Sequence, residues 1–305
     1  MIYNSIDEII GKTPLLRLNN IEKLFGLKAK IYAKLESFNP TGSAKDRPAL
    51  YIIDDAEKKG LIKKGSTIIE PTSGNTGIAI SAICASRGYK AVIVMPDTMS
   101  VERIQSMQAY GAEVVLTDGK LGMQGAVERA KQLNASIEGS IIAGQFDNPA
   151  NALSHYDTTG PEIYNDLDGA VDVYIAGVGT GGTFSGVAKY LKEQRDLFTV
   201  GVEPLSSPLI SEGKSGAHKI QGIGANFVPE NFDATVCDKI ETVSDDDAYK
   251  TAKMIAEKEG VFVGISSGAS LKVAIDYATK DEFANKNIVV VLPDTGLRYL
   301  SVLSK

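Results

Sequence analysis

Short β-branched runs alternate with longer amphipathic segments along the whole of this chain, and that alternation constrains its fold more than any other feature. The runs "KIYAKLE", "STIIEP", "KAVIVMP", "AEVVLTD", "VDVYIAG", "FTVGVEP" and "KNIVVVLPD" are short and, except for "FTVGVEP", apolar at consecutive rather than alternate positions. A strand of that kind is buried on both faces. Segments such as "VERIQSMQAYG" and "DDAYKTAKMIAEKEG" carry the helical period and supply the covering layers. About ten strand candidates are present, more than the eight of a single α/β barrel, and glycine-rich turns cluster after particular strands. The pattern predicts an α/β chain of two open parallel-sheet domains with helices on both faces.

A length of 305 residues, 43% of them hydrophobic, allows two cores of that type. No Pro- or Ser-rich linker separates the domains, and the least regular stretch, "GQFDNPANALSHYDTTGPEI", places a boundary near its start. The net charge of -6 is dispersed, and no basic stripe is present, which argues for a small-molecule partner and against nucleic acid. The first residues lack a charged and then apolar leader, and no apolar run is long enough to span a bilayer, so a cytoplasmic chain is expected. Cys84 and Cys237 lie far apart without metal-ligand spacing and read as small core residues, with no metal site expected. With only His155 and His218 available, most histidine-based chemistry has no support.

Four stretches carry candidate chemistry. In "SFNPTGSAKDRPAL", Asn39 to Gly42 reads as a turn and Pro48 as a first-turn helix residue, so Lys45 falls at a helix N-terminus. The helix dipole there disfavours a protonated amine and suits a lysine that forms a Schiff base; an ordinary solvated lysine is the alternative. In "IIEPTSGNTGIAIS", a strand from Ile68 to Glu70 feeds a polar loop from Thr72 to Thr76 and a helix from about Gly77. That loop suits a carboxylate or phosphate, or is a plain helix cap. In "VDVYIAGVGTGGTFSGVAKYLKE", the amides of Gly179 to Thr183 and the Thr180 and Thr183 hydroxyls can surround one phosphate. Gly177, Gly179 and Gly182 also satisfy GxGxxG, and Glu203 ends the next strand, so an NAD-dependent dehydrogenase competes. Finally, "EGVFVGISSGASLKVAI" reads as strand, small polar turn and helix, with Ser266 or Ser267 emerging at the strand's carboxyl end; a helix cap is the alternative, and Ser267 reads as one.

Taken in order, these stretches resemble the fold-type II pyridoxal-phosphate enzymes, and most closely the cysteine synthase (O-acetylserine sulfhydrylase) and cystathionine β-synthase family. The resemblance runs through "GKTPLLRLN", "NPTGSAKDR", "EPTSGNTGIA", "MPDTMSVER", "QFDNPAN", "TTGPEI", "GVGTGGT", "HKIQGIGA", "GISSGAS" and, with one difference, "LPDTGLRYLS". It implies pyridoxal 5'-phosphate held by Lys45 as a Schiff base, with Asn75 on the ring hydroxyl. Gly179, Thr180, Gly181, Gly182 and Thr183 would take the phosphate, and Ser266 the pyridine nitrogen. Thr72, Ser73, Thr76 and Gln145 would hold the substrate carboxylate, and the freed Lys45 amine would remove the Cα proton. A serine at the pyridine nitrogen, in place of an acid, favours quick β-elimination.

The same resemblance implies replacement at Cβ of an activated serine, most closely O-acetylserine with sulfide giving cysteine and acetate. Formation of cystathionine, or of lanthionine with release of hydrogen sulfide, is the alternative. It also implies a homodimer, leaves open a serine acetyltransferase as a partner, and assigns a smaller mobile domain to residues 36–145 with 1–11. The larger phosphate-binding domain is then 12–35 with 146–305. Three positions depart from the family pattern and bear on substrate choice: Ala217 in place of proline, Asn226 in place of glycine, and Leu297 in place of glutamate. Asn226 is expected either to occupy a left-handed backbone position or to turn its amide into the cleft.

Overall fold

All seven quoted runs form strands. In the computed structural model, which describes residues 1–303, the strands are β1 (Leu15–Arg17), β2 (Lys30–Leu35), β3 (Thr67–Pro71), β4 (Lys90–Pro96) and β5 (Glu113–Thr117), followed by β6 (Ile141–Ile142), β7 (Val173–Gly177), β8 (Phe198–Pro204), β9 (Lys239–Val243) and β10 (Asn287–Leu292). The chain divides into two units, one of Met1–Ile10 and Lys45–Asn151, the other of Gly11–Ala44 and the residues from Ala152 onward.

The first unit holds a parallel four-stranded sheet in the order β5-β4-β3-β6. Ile68, Ile93 and Met95 share a core with Ile52, Ile53 and Ile83 from the helices Asp46–Lys58 and Asn75–Arg87. On the other face, Ile69, Val92 and Val94 meet Ala126 and Ala130 of the helix Gly122–Ser136. Consecutive residues of one strand thus enter opposite cores, which is why these runs show no alternation. The extreme N-terminus joins this unit through Asp7, whose carboxylate accepts from Arg87 Nε at 2.8 Å.

The second unit holds a six-stranded sheet in the order β1-β2-β10-β7-β8-β9, parallel except for β1. Val173 and Ile175 face a core shared with the helices Asp245–Glu259 and Ile265–Thr279, while Tyr174 and Ala176 face the helix Gly182–Gln194. No strand precedes Ile265, contrary to the sequence reading. The helix ending at Glu259 closes on left-handed Gly260 (φ 72°), and the next helix starts after Gly264. So short a connection leaves room only for an isolated bridge between Val263 and Thr295.

Winding direction reverses within each sheet. In the first unit β4 and β5 lie to one side of β3 and β6 to the other; in the second, β8 and β9 lie to one side of β7 and β10 to the other. Open α/β sheets bind ligands beyond the carboxyl ends of strands at such reversals. β3 and β7 are the strands that lead into the Thr72–Thr76 and Gly179–Thr183 loops.

Candidate active site

In the first unit, Lys45 is the N-cap of the helix Asp46–Lys58, with φ -73° and ψ -12°, and is half-buried. The helix starts there because Pro48 is tolerated in its first turn, where no intrahelical N–H bond is required. The loop after β3 is shorter than the sequence suggested. Gly74 is extended and caps the helix Asn75–Arg87, so Asn75 and Thr76 are its first two residues, not loop residues. Their amides belong to the set of helix N-terminal donors that suits a carboxylate. Thr72 Oγ1 accepts from Gly74 N at 3.3 Å and the Ser73 carbonyl accepts from Arg103 Nη1 at 3.1 Å, which shapes the loop. Gly77 is required by packing, since a Cβ there would stand 2.8 Å from Met107 Cε and 3.0 Å from Thr72 Cγ2.

Gln145 joins Thr76 across a long sequence separation. The Thr76 hydroxyl donates to Gln145 Oε1 at 2.5 Å, and both residues are buried. Beside them Glu70, 1% exposed, accepts from Gly144 N at 2.9 Å. Burial pushes its carboxyl up to about 7, against the opposing pull of the neighbouring Gly144 and Gln145 N–H groups. Sequence reading treated Glu70 only as a strand end; its signal was a carboxylate closing an otherwise apolar run.

The second unit supplies the turn that leads to Lys45 and the glycine loop. Gly42 (φ 80°) closes the turn by donating to Asn39 O at 2.8 Å, and Ala44 N donates to Pro293 O at 2.8 Å. The Asn39 side chain accepts from Gly11 N at 2.8 Å and donates to Glu36 Oε2 at 2.9 Å, tying "GKTP" to "NPTG". After β7, Gly181 (φ 85°) caps the helix Gly182–Gln194, whose first intrahelical acceptor is Gly181 O, bonded by Ser185 N at 2.9 Å. The amides of Gly182, Thr183 and Phe184 therefore precede the helical ladder and form its N-terminal donor set. A Cβ on Gly179 would stand 2.2 Å from Gly222 O, and one on Gly181 2.5 Å from Phe232 N, so this loop admits only glycine at both positions. Thr180 is buried, and Thr183 Oγ1 lies 3.1 Å from Nε2 of fully buried His155, whose Nδ1 meets Thr159 Oγ1 at 2.9 Å. His155 is a second residue that sequence reading passed over; its four-residue spacing to Thr159 was the available sign.

Ser266 is the second residue of the helix Ile265–Thr279 and 3% exposed, with its Oγ 3.4 Å from where a Gly222 Cβ would stand. Ser267 is not a cap as expected. It lies within the helix, fully buried, and its hydroxyl has no hydrogen-bond partner. Asn226 is exposed and does not have a left-handed backbone; the positive φ values of that turn fall on Gly222 (99°) and Gly224 (70°) instead. The backbone explanation for Asn226 therefore fails. Leu297 is 66% exposed and Ala217 is exposed. Cys84 is a core residue, its thiol pushed up to about 12 by burial, whereas Cys237 is only half-buried.

A nicotinamide dinucleotide would need Glu203 for its ribose. That carboxylate is 1% exposed and already accepts from Ile210 N at 2.8 Å, Ser211 N at 3.0 Å and the Ser211 hydroxyl at 2.5 Å. It caps the short helix Leu209–Glu212 and is not free for a ligand. A phosphate monoester fits the donors of the second unit better: a glycine-only loop and a threonine hydroxyl at one helix start, and a buried serine at another. The first unit brings a lysine to a helix start of its own.

These elements are those of an enzyme that uses a phosphate-bearing aldehyde cofactor, and the chain belongs to the pyridoxal-phosphate dependent enzyme family, whose profile matches residues 6–294. Within that family it is similar to cysteine synthase A of Escherichia coli (strain K12), 49% identical over 310 residues that cover 98% of this chain and 94% of the relative. Among solved structures, cysteine synthase from Entamoeba histolytica has a TM-score of 0.96 at 42% identity, covering 99% of this chain and 90% of that one. A hydrogen sulfide-producing enzyme from Fusobacterium nucleatum has a TM-score of 0.93 at 49% identity, covering 98% and 100%.

Proposed function

We propose that this protein makes L-cysteine from O-acetyl-L-serine and sulfide, releasing acetate, with pyridoxal 5'-phosphate as its cofactor. The observation that carries this reading is the 49% identity to a cysteine synthase over 98% of the chain. In this reading Lys45 holds the cofactor through its amine, Gly179 to Thr183 bind its phosphate, Ser266 meets the ring nitrogen and Asn75 the ring hydroxyl. Thr72, Ser73, Thr76 and Gln145 orient the amino-acid carboxylate. When bound, the cofactor supplies an electron sink for breaking the Cα–H and Cβ–O bonds. The Lys45 amine would take the Cα proton as a general base. The donors at the start of the helix Asn75–Arg87 would orient the substrate carboxylate. Closure of residues 36–145 to exclude water, a homodimeric state, a cytoplasmic location and a serine acetyltransferase partner belong to the same proposal.

Release of hydrogen sulfide from cysteine is a second reading, supported by the likeness to the Fusobacterium nucleatum enzyme and by Asn226, whose side chain is exposed without a backbone reason to be asparagine. Product analysis with O-acetylserine, serine and cysteine as donors, and sulfide and homocysteine as acceptors, separates the two. The purified protein should be yellow, and Lys45→Ala should abolish turnover. A colourless protein that cannot be reconstituted with pyridoxal phosphate would sink both readings.

A further inference from the structure

We propose that His155 is a positioning residue that keeps the Thr183 hydroxyl turned as a donor toward the cofactor phosphate, with its own tautomer fixed by Thr159. The proposal rests on the reading that this phosphate docks at Gly179 to Thr183. The His155 ring is fully buried and stands between two threonine hydroxyls, its Nδ1 2.9 Å from Thr159 Oγ1 and its Nε2 3.1 Å from Thr183 Oγ1. A neutral imidazole has one donating and one accepting nitrogen, so the two contacts run in a single direction. Either Thr159 donates to Nδ1 and the Nε2–H donates to Thr183, or Thr183 donates to Nε2 and the Nδ1–H donates to Thr159. Only the first leaves the Thr183 proton for another acceptor.

The phosphate oxygens of a dianion accept and do not donate, so the second direction would turn lone pairs of Thr183 toward them. Thr159 suits the first direction. Its neighbour Thr158 donates its hydroxyl proton to the Ser154 carbonyl four residues back, a common habit of helical threonines, whereas the Thr159 hydroxyl meets the ring. The His155 carbonyl, which is the corresponding backbone acceptor for Thr159, takes Gly160 N–H in a π-helical turn. The ring has little freedom to tilt out of this arrangement. Gly186, in the helix Gly182–Gln194, lies directly on the turn, and a Cβ there would stand 2.2 Å from Ala152 O and 2.9 Å from His155 Cβ. Thr183 is held at its backbone as well, since fully buried Tyr174 donates its Oη–H to Thr183 O at 3.1 Å. With both ends anchored, the direction of the hydrogen bonds is what these residues can set.

The first test reads the ring itself. In holoenzyme carrying 15N-labelled histidine only His155 and His218 contribute, and His218→Gln identifies which signals belong to His155. His155 should show a protonated Nε2 and a bare Nδ1; an Nδ1–H ring, or a ring protonated at both nitrogens, overturns the proposal whether or not any relay variant folds. The second test follows the rate at which holoenzyme loses its visible absorbance during dialysis against inorganic phosphate. Thr183→Val should speed that loss about tenfold, the size of one hydrogen bond to a charged group, and Thr159→Val about fivefold, the size of a neutral one, although Thr159 reaches the loop only through the ring. Thr159→Ser, which keeps the hydroxyl and removes the methyl, should behave as wild type, and Thr159→Val should add nothing to Thr183→Val. Equal losses in Thr159→Val and Thr159→Ser, or additive losses in the double variant, overturn the proposal by making packing the cause. Faster loss in Thr183→Val with none in Thr159→Val overturns the role of His155 alone, whereas a Thr183→Val protein that keeps its cofactor as wild type does overturns the docking of the phosphate at this loop as well.

Discussion

At Gly179 one methyl group decides whether the loop after β7 can keep its path. Its added Cβ would meet a backbone oxygen at 2.2 Å, and backbone cannot swing aside as a side-chain tip can. Gly179→Ala should therefore lose cofactor retention, read as the visible absorbance left after gel filtration, whereas Gly74→Ala, where a Cβ meets nothing within 4 Å, should keep it. Ser266 and Ser267 are adjacent and both buried but differ in partners. Ser266→Ala should weaken cofactor binding by about 0.5–1.5 kcal/mol, one neutral hydrogen bond. Ser267→Ala removes a buried hydroxyl without a partner and should leave the denaturation midpoint unchanged or raise it. A larger loss of cofactor in Ser267→Ala than in Ser266→Ala would reverse the assignment. Asn226→Gly should alter the ratio of specificity constants between sulfide and homocysteine by about the 1–3 kcal/mol of one pocket contact. An unchanged ratio would take Asn226 out of substrate selection.

Helix starts organise the chemistry at the scale of elements. Three of them present Lys45, Asn75 and Thr76, and Gly182 and Thr183, and their N-cap residues, Lys45, Gly74 and Gly181, make no side-chain cap bond. The helix Asp245–Glu259 is the contrast. Ser244 Oγ accepts from Asp247 N at 3.1 Å and donates to the Asp247 carboxylate at 2.7 Å, and its first turn is acidic, as the dipole favours. Capping groups occupy the same N–H donors that an anion would use, so the Ser244 start is closed to an anion, while the other three, like most helix starts of this chain, have no bond from the N-cap side chain. Ser244→Ala should cost about 1 kcal/mol in denaturant unfolding and leave cofactor affinity unchanged. A drop in affinity would mean that this helix start acts on the site.

Each of the two units has its own sheet packed on both faces, and two carboxylates, Glu70 in the first and Asp238 in the second, shift in opposite directions. Glu70 is raised from 4.5 to about 7, so the folded chain keeps a proton that the unfolded chain has released between those values. Stability should then fall as pH rises through that window, by about 3 kcal/mol at about 1.4 kcal/mol per unit, and level off above it. Asp238 acts with the opposite sign: burial pushes its carboxyl up, but Lys192 and Thr199 outweigh it and hold the group below its ordinary value. Its contribution is present above that value and is lost as pH falls through the folded one. Glu70→Gln should flatten the decline in urea midpoint between about pH 5 and about pH 7. A slope equal to that of wild type would place the titration elsewhere.

Consecutive β-branched residues required strands buried on both faces, and therefore parallel sheets under helices; ten strands in two sheets meet that requirement. Pro48 and Gly42 placed Lys45 at a helix start, because each restricts its own backbone wherever the chain goes next. The glycine loop was legible for the same reason. What the sequence could not express was partnership. Glu70 and Gly144 stand 74 residues apart, Thr76 and Gln145 69 apart, and His155 and Thr183 28 apart. Glu203 looked like a ribose ligand until its carboxylate was found capping the helix Leu209–Glu212. Asn226 looked like a left-handed residue until the turn placed its positive φ values on Gly222 and Gly224. Local pattern reports what each residue's own backbone and burial prefer, and that determined the fold class and the loops. Which distant donor meets which acceptor depends on strand order, and only the tertiary structure decided it.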